Sequence, residues 1–562
     1  MLDVWRNGHD AGFETTLEGE TENQGNVMDD TDHKTILEAR ISAQMRRRSF
    51  LKGVGVAAVA GAGAGFLPGM AQAAQSGHIR IASLSHIDTL DPHFTGFLNA
   101  IQVINNIHNG LLKVTYDGQA VRFEPDLAEK WTLEDDKTHL FKLRDGVKFH
   151  DGTACDAEAV KFSLLRVKSG EPKSPHAWKL ALLDEIEIVD PLTVRLKFSK
   201  PYAFLPVALT GSTGRAGTIV SPAAVQKYGA NYGRNPVGTG PFKFVSWREN
   251  DSIELEANPD YFEPGMPKIA KATFLIMREA STAVAALMAG QIEGMSNCPL
   301  QLLPQVEAFP GAKVYGGIEG NYSFVGMNTR KGPFEDVNLR RAVAYAIDRQ
   351  AIIKQAYFGR AQQAYTPISP PMTGFFDPDI AKSGRGHYFD LDKAKAFRAK
   401  AANQGEIEAV YIMSERTAVS TRVAQTIVPM LAQVGIKAKL ELMEPTAWVQ
   451  RRNDRAFDIF DFEWVADLDP DETLYPEFRS DGSWNYPGWV NTEFDRLCAE
   501  AQGILDVKER SKLYNAAEDL LIDEAPIAML AHMPIYKVFS TKVKGFNYIP
   551  ADLIDLHGMS LS

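Results

Sequence analysis

The chain has 562 residues, 45% of them hydrophobic and 23% charged, with a formal net charge of −11. That acidic balance, without a long basic run beyond the N-terminal region, argues against a nucleic-acid partner, and this much apolar sequence exceeds one core and calls for at least two lobes. The cysteines Cys155, Cys298 and Cys498 form no CxxC and stand far apart, so no zinc site, disulfide framework or cofactor is expected.

Residues 1–44 lack apolar periodicity and are rich in Asp, Glu, Asn and Thr, which reads as a disordered extension or as sequence ahead of a start at Met45. Arg47, Arg48, Ser49, Phe50, Leu51 and Lys52 precede a weakly apolar run over residues 54–67, which ends at Ala71-Gln72-Ala73. A charged region, a short apolar region and an A-x-A site are the marks of a secretory signal, here residues 45–73, and the apolar part is too short to span a bilayer. The RRSFLK stretch resembles a twin-arginine export signal, with Arg46 where that pattern usually has Ser or Thr. The resemblance implies export in the folded state and cleavage between Ala73 and Ala74. With no cysteine before Cys155, a lipoprotein anchor is excluded.

Residues 78–83 read as a strand, followed by the polar loop Ser85-His86-Ile87-Asp88. Residues 99–111 carry apolar side chains at helical spacing, with Gly110 as the closing residue. Phe141, Leu143, Val147 and Phe149 would face a core, Arg144-Asp145-Gly146 makes a turn, and Asp156 can cap a helix beginning near Ala157. His150 and Asp151 read as turn residues rather than as chemistry. A strand over residues 193–198 completes a β-rich insertion spanning about residues 113–210. Gly238, Gly240 and Lys243 faintly imitate a phosphate loop, but the spacing is incomplete and Pro241 removes an amide, so the stretch is a tight turn.

LDPH at residues 90–93, NGLL at 109–112, PDLAEKW at 125–131, FKLRDGVKFHDGTACDAEAVKFSL at 141–164, NPVGTGPF at 235–242 and RRAVAYAIDR at 340–349 together resemble the family 5 extracellular solute-binding proteins. These are the dipeptide-, oligopeptide- and nickel-binding components of ABC importers. The resemblance covers residues 79–546. It implies an α/β fold, the two-lobed periplasmic-binding-protein fold of type II, cluster C-like, with the β-rich subdomain inserted in the first lobe and two hinge crossings. Lobe 1 would take residues 74–318, lobe 2 residues 319–530, and residues 531–562 would return to lobe 1. The implied protein is a periplasmic monomer that delivers a peptide or similar small solute to an inner-membrane permease with its ATPase subunits.

In the second half, Asp336 is a plausible cap for a helix from Val337, and one hinge strand is implied near residues 315–322. A strand at 407–413, a helix over 418–434 closed by Gly435, and a strand at 436–442 make a βαβ unit, which calls for parallel pairing. Pro429 should kink that helix. Residues 457–491 then gather Trp464, Trp484 and Trp489, three of the eight tryptophans, with six aspartates and no lysine. Aromatic faces and carboxylates beyond a strand end suit a pocket for an amine-bearing small molecule; read without the pocket, the aromatics are core and the acids a solvated turn.

In peptide-binding relatives the acid of a W-x-x-D motif pairs with the peptide amino terminus. Trp464-Val465-Ala466-Asp467 matches it, which implies Asp467 as the ligand acid, with Asp469 as the alternative because the loop is one residue shorter than the usual pattern. Arg416 stands where some dipeptide-binding relatives hold the peptide carboxylate, a role suited to bidentate guanidinium. Tyr322, Trp484, Asn485 and Tyr486 could line the pocket, with His86 and Asp88 as weaker contributors from the first lobe. The same fold could instead serve an opine, a sugar or a metal chelate, although His86, His387 and His532 have no local metal-ligand spacing. A hydrolase is disfavoured because G-x-S-x-G, H-E-x-x-H and Cys-His arrangements are missing.

Overall fold

The computed structural model describes residues 76–414, 418–465 and 468–562. The signal motif, its cleavage site, Arg416 and Asp467 lie outside the described residues. No helix among the described residues is long and apolar enough to cross a membrane.

A mixed eleven-stranded sheet runs through the whole molecule. From one edge its order is Ile436–Met443, Ile407–Ser414, Ile459–Trp464, Ala312–Met327, Ile527–Ser540, Gly294–Met295, His78–Ser83, Lys271–Ile276, Ser252–Ala257 and Phe242–Arg248, with Gln362–Gln363 paired to Ile527–Ser540. The two long antiparallel strands in the middle, Ala312–Met327 and Ile527–Ser540, cross from one lobe to the other. Along the first crossing strand, burial alternates over its opening residues and becomes continuous from Glu319 onward, so it leaves a half-covered sheet and enters a core packed on both faces. Its register against the second crossing strand shifts between Ile318 and Tyr322. Gly316 adopts φ +143°, and a Cβ there would sit 2.0 Å from the Ile535 carbonyl oxygen, so the approach of the two strands requires glycine.

Local sequence explains most elements. Asp156 accepts from the Ala159 amide and opens the helix Ala157–Ser169. Asp336 accepts from the Asn338 amide at the start of Val337–Ala346. Ile407–Ser414 and Ile436–Met443 pair in parallel, joined by the helix Ala418–Ala432 with Pro429 inside it. The helix of residues 98–107 ends earlier than the sequence reading has it: His108 is already extended and Gly110 plays another part. A Cβ on Gly110 would lie 2.2 Å from the Gly211 amide nitrogen, so this glycine allows two loops to touch.

The insertion is a four-stranded antiparallel sheet, ordered Ala128–Asp135, Thr138–Leu143, Thr193–Phe198 and Leu183–Asp190, covered by Ala157–Ser169. Phe141, Leu143, Val194 and Leu196 alternate inward from it. Beyond the second crossing strand, Ile554, Leu556 and Met559 pack with Ile101 and Ile104, and Asn106 bonds the Ile554 carbonyl and the Leu556 amide. The end of the chain is thus part of the first lobe.

Candidate functional site

Two contiguous cavities of about 520 and 630 Å³ open between the lobes. They share Ser85, Leu98 and Asn99 on the first-lobe side and Glu463 and Val465 at the end of Ile459–Trp464 on the other.

The larger cavity has aromatic walls. Along Ile459–Trp464, Phe462 and Trp464 project two residues apart onto one face, and their rings lie 6.0 Å from each other. Trp464 meets Trp484 at 4.8 Å. The helix Pro445–Asn453 starts with proline at its first position and a Glu444 cap, and places Trp448 and Arg452 four residues apart on one side. Trp448 stacks on Phe462 at 6.0 Å, while the Arg452 guanidinium sits 3.8 Å from the centre of the Tyr486 ring and 4.7 Å from that of Trp448. His86, Phe97, His176 and Arg215 face these groups from the first lobe. Burial holds His176 neutral, far below its ordinary pKa, and its Nε2 meets the Thr95 carbonyl at 2.9 Å.

The second cavity is lined by amide side chains: Asn99, Gln102, Asn297, Gln301 and Asn321, with Arg422, Tyr357 and Asp552. Behind it, Lys537 is fully buried between Glu319 at 3.2 Å and Asp552 at 3.1 Å, tying the two crossing strands to the C-terminal segment. A third cavity of about 110 Å³ lies within the first lobe; there His557 pairs with Glu263 at 2.9 Å and Asp126 accepts from Asn109 and Gly110, so its polar groups are spent on one another.

Away from the crossing strands the lobes also touch. Lys179 of the insertion reaches Glu472 at 3.1 Å with both side chains nearly inaccessible, and Trp178 stacks on Tyr475 with centroids 6.3 Å apart. The Ala203 amide donates to the Gln502 carbonyl at 2.9 Å.

The structure brings Trp464, Trp484, Tyr486 and His86 into the cleft wall. Four expected residues are used elsewhere. Asp469 caps the helix Pro470–Phe478 through the Asp471 amide and receives both arms of Arg510, at 2.6 and 2.7 Å, deep in the second lobe. Asn485 spends its side chain on the backbone of Arg479 and Trp489, which fixes the loop that presents Trp484 and Tyr486. Tyr322 is fully buried and donates to Glu477. Asp88 accepts from Thr95 at 2.9 Å and shapes the loop that carries His86. The solvated acidic turn is also corrected, since Asp469, Asp471, Glu472 and Glu477 are buried, with cations from distant elements. Trp448, Arg452 and Arg422 escaped the sequence reading, although Trp and Arg at i, i+4 after a Glu-Pro helix start were a visible signal.

A family model described as bacterial extracellular solute-binding proteins, family 5, middle region, matches residues 122–486. The chain belongs to this family. Among curated relatives, the glutathione-binding protein GsiB of Escherichia coli strain K12 is 29% identical over 486 residues, covering 84% of this chain and 92% of that protein. Among solved structures, the periplasmic binding protein DppA of Helicobacter pylori in complex with the peptide STSA is 26% identical with a TM-score of 0.75, over 86% of this chain and 98% of DppA. The oligopeptide-binding protein AppA of Bacillus subtilis in complex with a nonapeptide is 25% identical with a TM-score of 0.75, over 87% of this chain and 99% of AppA. The chain therefore has the two-lobed periplasmic-binding-protein fold and is the substrate-binding component of an ABC importer, working in the periplasm with a membrane permease.

Proposed function

We propose that the cleft encloses a peptide of a few residues and releases it, unaltered, to the permease and its ATPase subunits. The observation that carries this reading is the division of the cleft wall. Aromatic side chains at one end suit ligand side chains, and a row of Asn and Gln at the other suits backbone amides, which both donate and accept. The peptide-bound relatives support it. In this reading Asp467 takes the ligand amine and Arg416 its carboxylate; in sequence they follow the strands Ile459–Trp464 and Ile407–Ser414, of which the first lines the cleft. Lobe 1 takes residues 74–318 and 531–562, lobe 2 residues 319–530, and the protein acts as a monomer. It reaches the periplasm through the twin-arginine pathway and is cut before Ala74.

Native mass spectrometry of protein purified without denaturation provides the test. A discrete added mass matching short peptides is expected; a non-peptide adduct would sink the peptide reading and leave the binding role intact. Asp467→Ala should keep the fold and weaken an amine-bearing ligand by about 2–5 kcal/mol, as when one member of a buried charged pair is removed. Unchanged affinity by calorimetry would remove Asp467 from the site.

A further inference from the structure

Trp448 and Trp464 are 6% and 8% exposed, both line the larger cavity, and neither indole Nε1 has a hydrogen-bond partner among the described residues. Indole nitrogen is a donor only, so what completes it must be an acceptor. Leaving such a buried donor bare is unfavourable enough to select what enters.

The charge around these donors narrows the class. Arg452 from the second lobe and Arg215 from the first both border the same space. Of the two acids on that wall, Glu472 is bonded to Lys179 at 3.1 Å, and Glu463 stands at the junction with the second cavity. Aromatic walls often hold an ammonium ion, but here the rings of Tyr486 and Trp448 already carry the Arg452 guanidinium. A second cation would meet the like charge of Arg452 and Arg215 in the same space.

We infer that the aromatic end of the cleft is a subsite for a carboxylate on the ligand. The Trp448 and Trp464 N–H groups donate to it, and Arg452 and Arg215 supply the charge. Taken with the peptide reading, on which this extension rests, the preferred cargo bears a carboxylate besides the terminal one, as an acidic side chain does. The tryptophan pair is then a specificity determinant, of which the W-x-x-D motif marks only Trp464.

The test uses small probes. The purified, dialysed protein carrying ¹⁵N-labelled indoles is titrated with benzoate and, separately, with the neutral isostere benzamide. Benzoate is expected to move the Nε1 resonances of Trp448 and Trp464 saturably and to bind about tenfold more tightly than benzamide, the gap between a charged and a neutral hydrogen-bonded acceptor. Trp448→Phe and Trp464→Phe assign the resonances, keep an aromatic ring, and should each weaken benzoate severalfold. If one of these variants misfolds, the other and Arg452→Gln carry the comparison. Equal binding of the two probes, or indole resonances that do not move, would overturn the carboxylate subsite. Because neither probe is a peptide, that failure is distinct from failure of the peptide reading, which mass spectrometry decides.

Discussion

Asp469 separates what a carboxylate does for a fold from what it does for a ligand. With Asp471, it surrounds the Arg510 guanidinium, and Tyr514 closes the network by donating to Asp471. Arg510→Met would strand two buried carboxylates, and a loss of about 3–5 kcal/mol is expected, read from the midpoint of urea unfolding. A change below about 1 kcal/mol would mean that these acids are solvated, as surface pairs are. At this scale the sequence was a partial guide. Trp464, Trp484 and Tyr486 were legible as cleft-wall residues because the sequence gathers aromatics at a strand end and in the loop that follows it. Asp469 and Tyr322 were misleading because their partners, Arg510 and Glu477, come from distant elements that no local pattern records, and Asn485 because its side chain is spent within its own loop, on Arg479 and Trp489.

Elements were more legible than residues. Caps at Asp156 and Asp336, the βαβ unit and the crossing strand near residues 315–322 all follow from local signals or from the family resemblance, and the structure contains them. The short turn Ala177–Leu180, by contrast, has no periodicity to announce it, yet it carries Trp178 and Lys179 across to the second lobe. Those contacts favour the arrangement in which the lobes face each other closely, and of their four residues only Glu472 also lines the cleft. Trp178→Ala should therefore enlarge the radius of gyration measured by small-angle scattering. It should also lower affinity for any enclosed ligand, by up to about tenfold, the worth of one aromatic pair. Scattering curves that superimpose on the parent protein would show that the turn contributes no closure.

The whole molecule buries titrating groups of opposite tendency. Burial lowers the pKa to about 4 for His93, His139 and His150 and to about 3 for His108, His387 and His532. Below pH 6.5 the unfolded chain takes up protons that these rings refuse, so stability falls as the solution is acidified. Burial raises Glu518 to about 8, lifts Glu477 well above its ordinary range and raises Asp126 to about 6. These carboxyls keep a proton that the unfolded chain releases near pH 4.5 or below, so their contribution is lost as pH rises through the folded values. Between pH 4.5 and 6.5 the lowered histidines outnumber them, and above 6.5 the glutamates still act, joined by His557, which is raised in spite of burial by its bond to Glu263. The thermal midpoint should peak near pH 6.5 and decline on both sides, and Glu518→Gln should flatten the alkaline limb. A midpoint that climbs steadily from pH 6.5 to 9 would contradict this.

The second crossing strand is the last of the large sheet to be made, yet it lies in the interior of that sheet, between Ala312–Met327 and Gly294–Met295. Until residues 527–540 leave the ribosome, both lobes lack a central strand, and the first lobe also lacks the hydrophobic segment that covers its early helix. Neither half of the sheet can therefore close before residues 527–540 are in place, after every other strand of that sheet has been made.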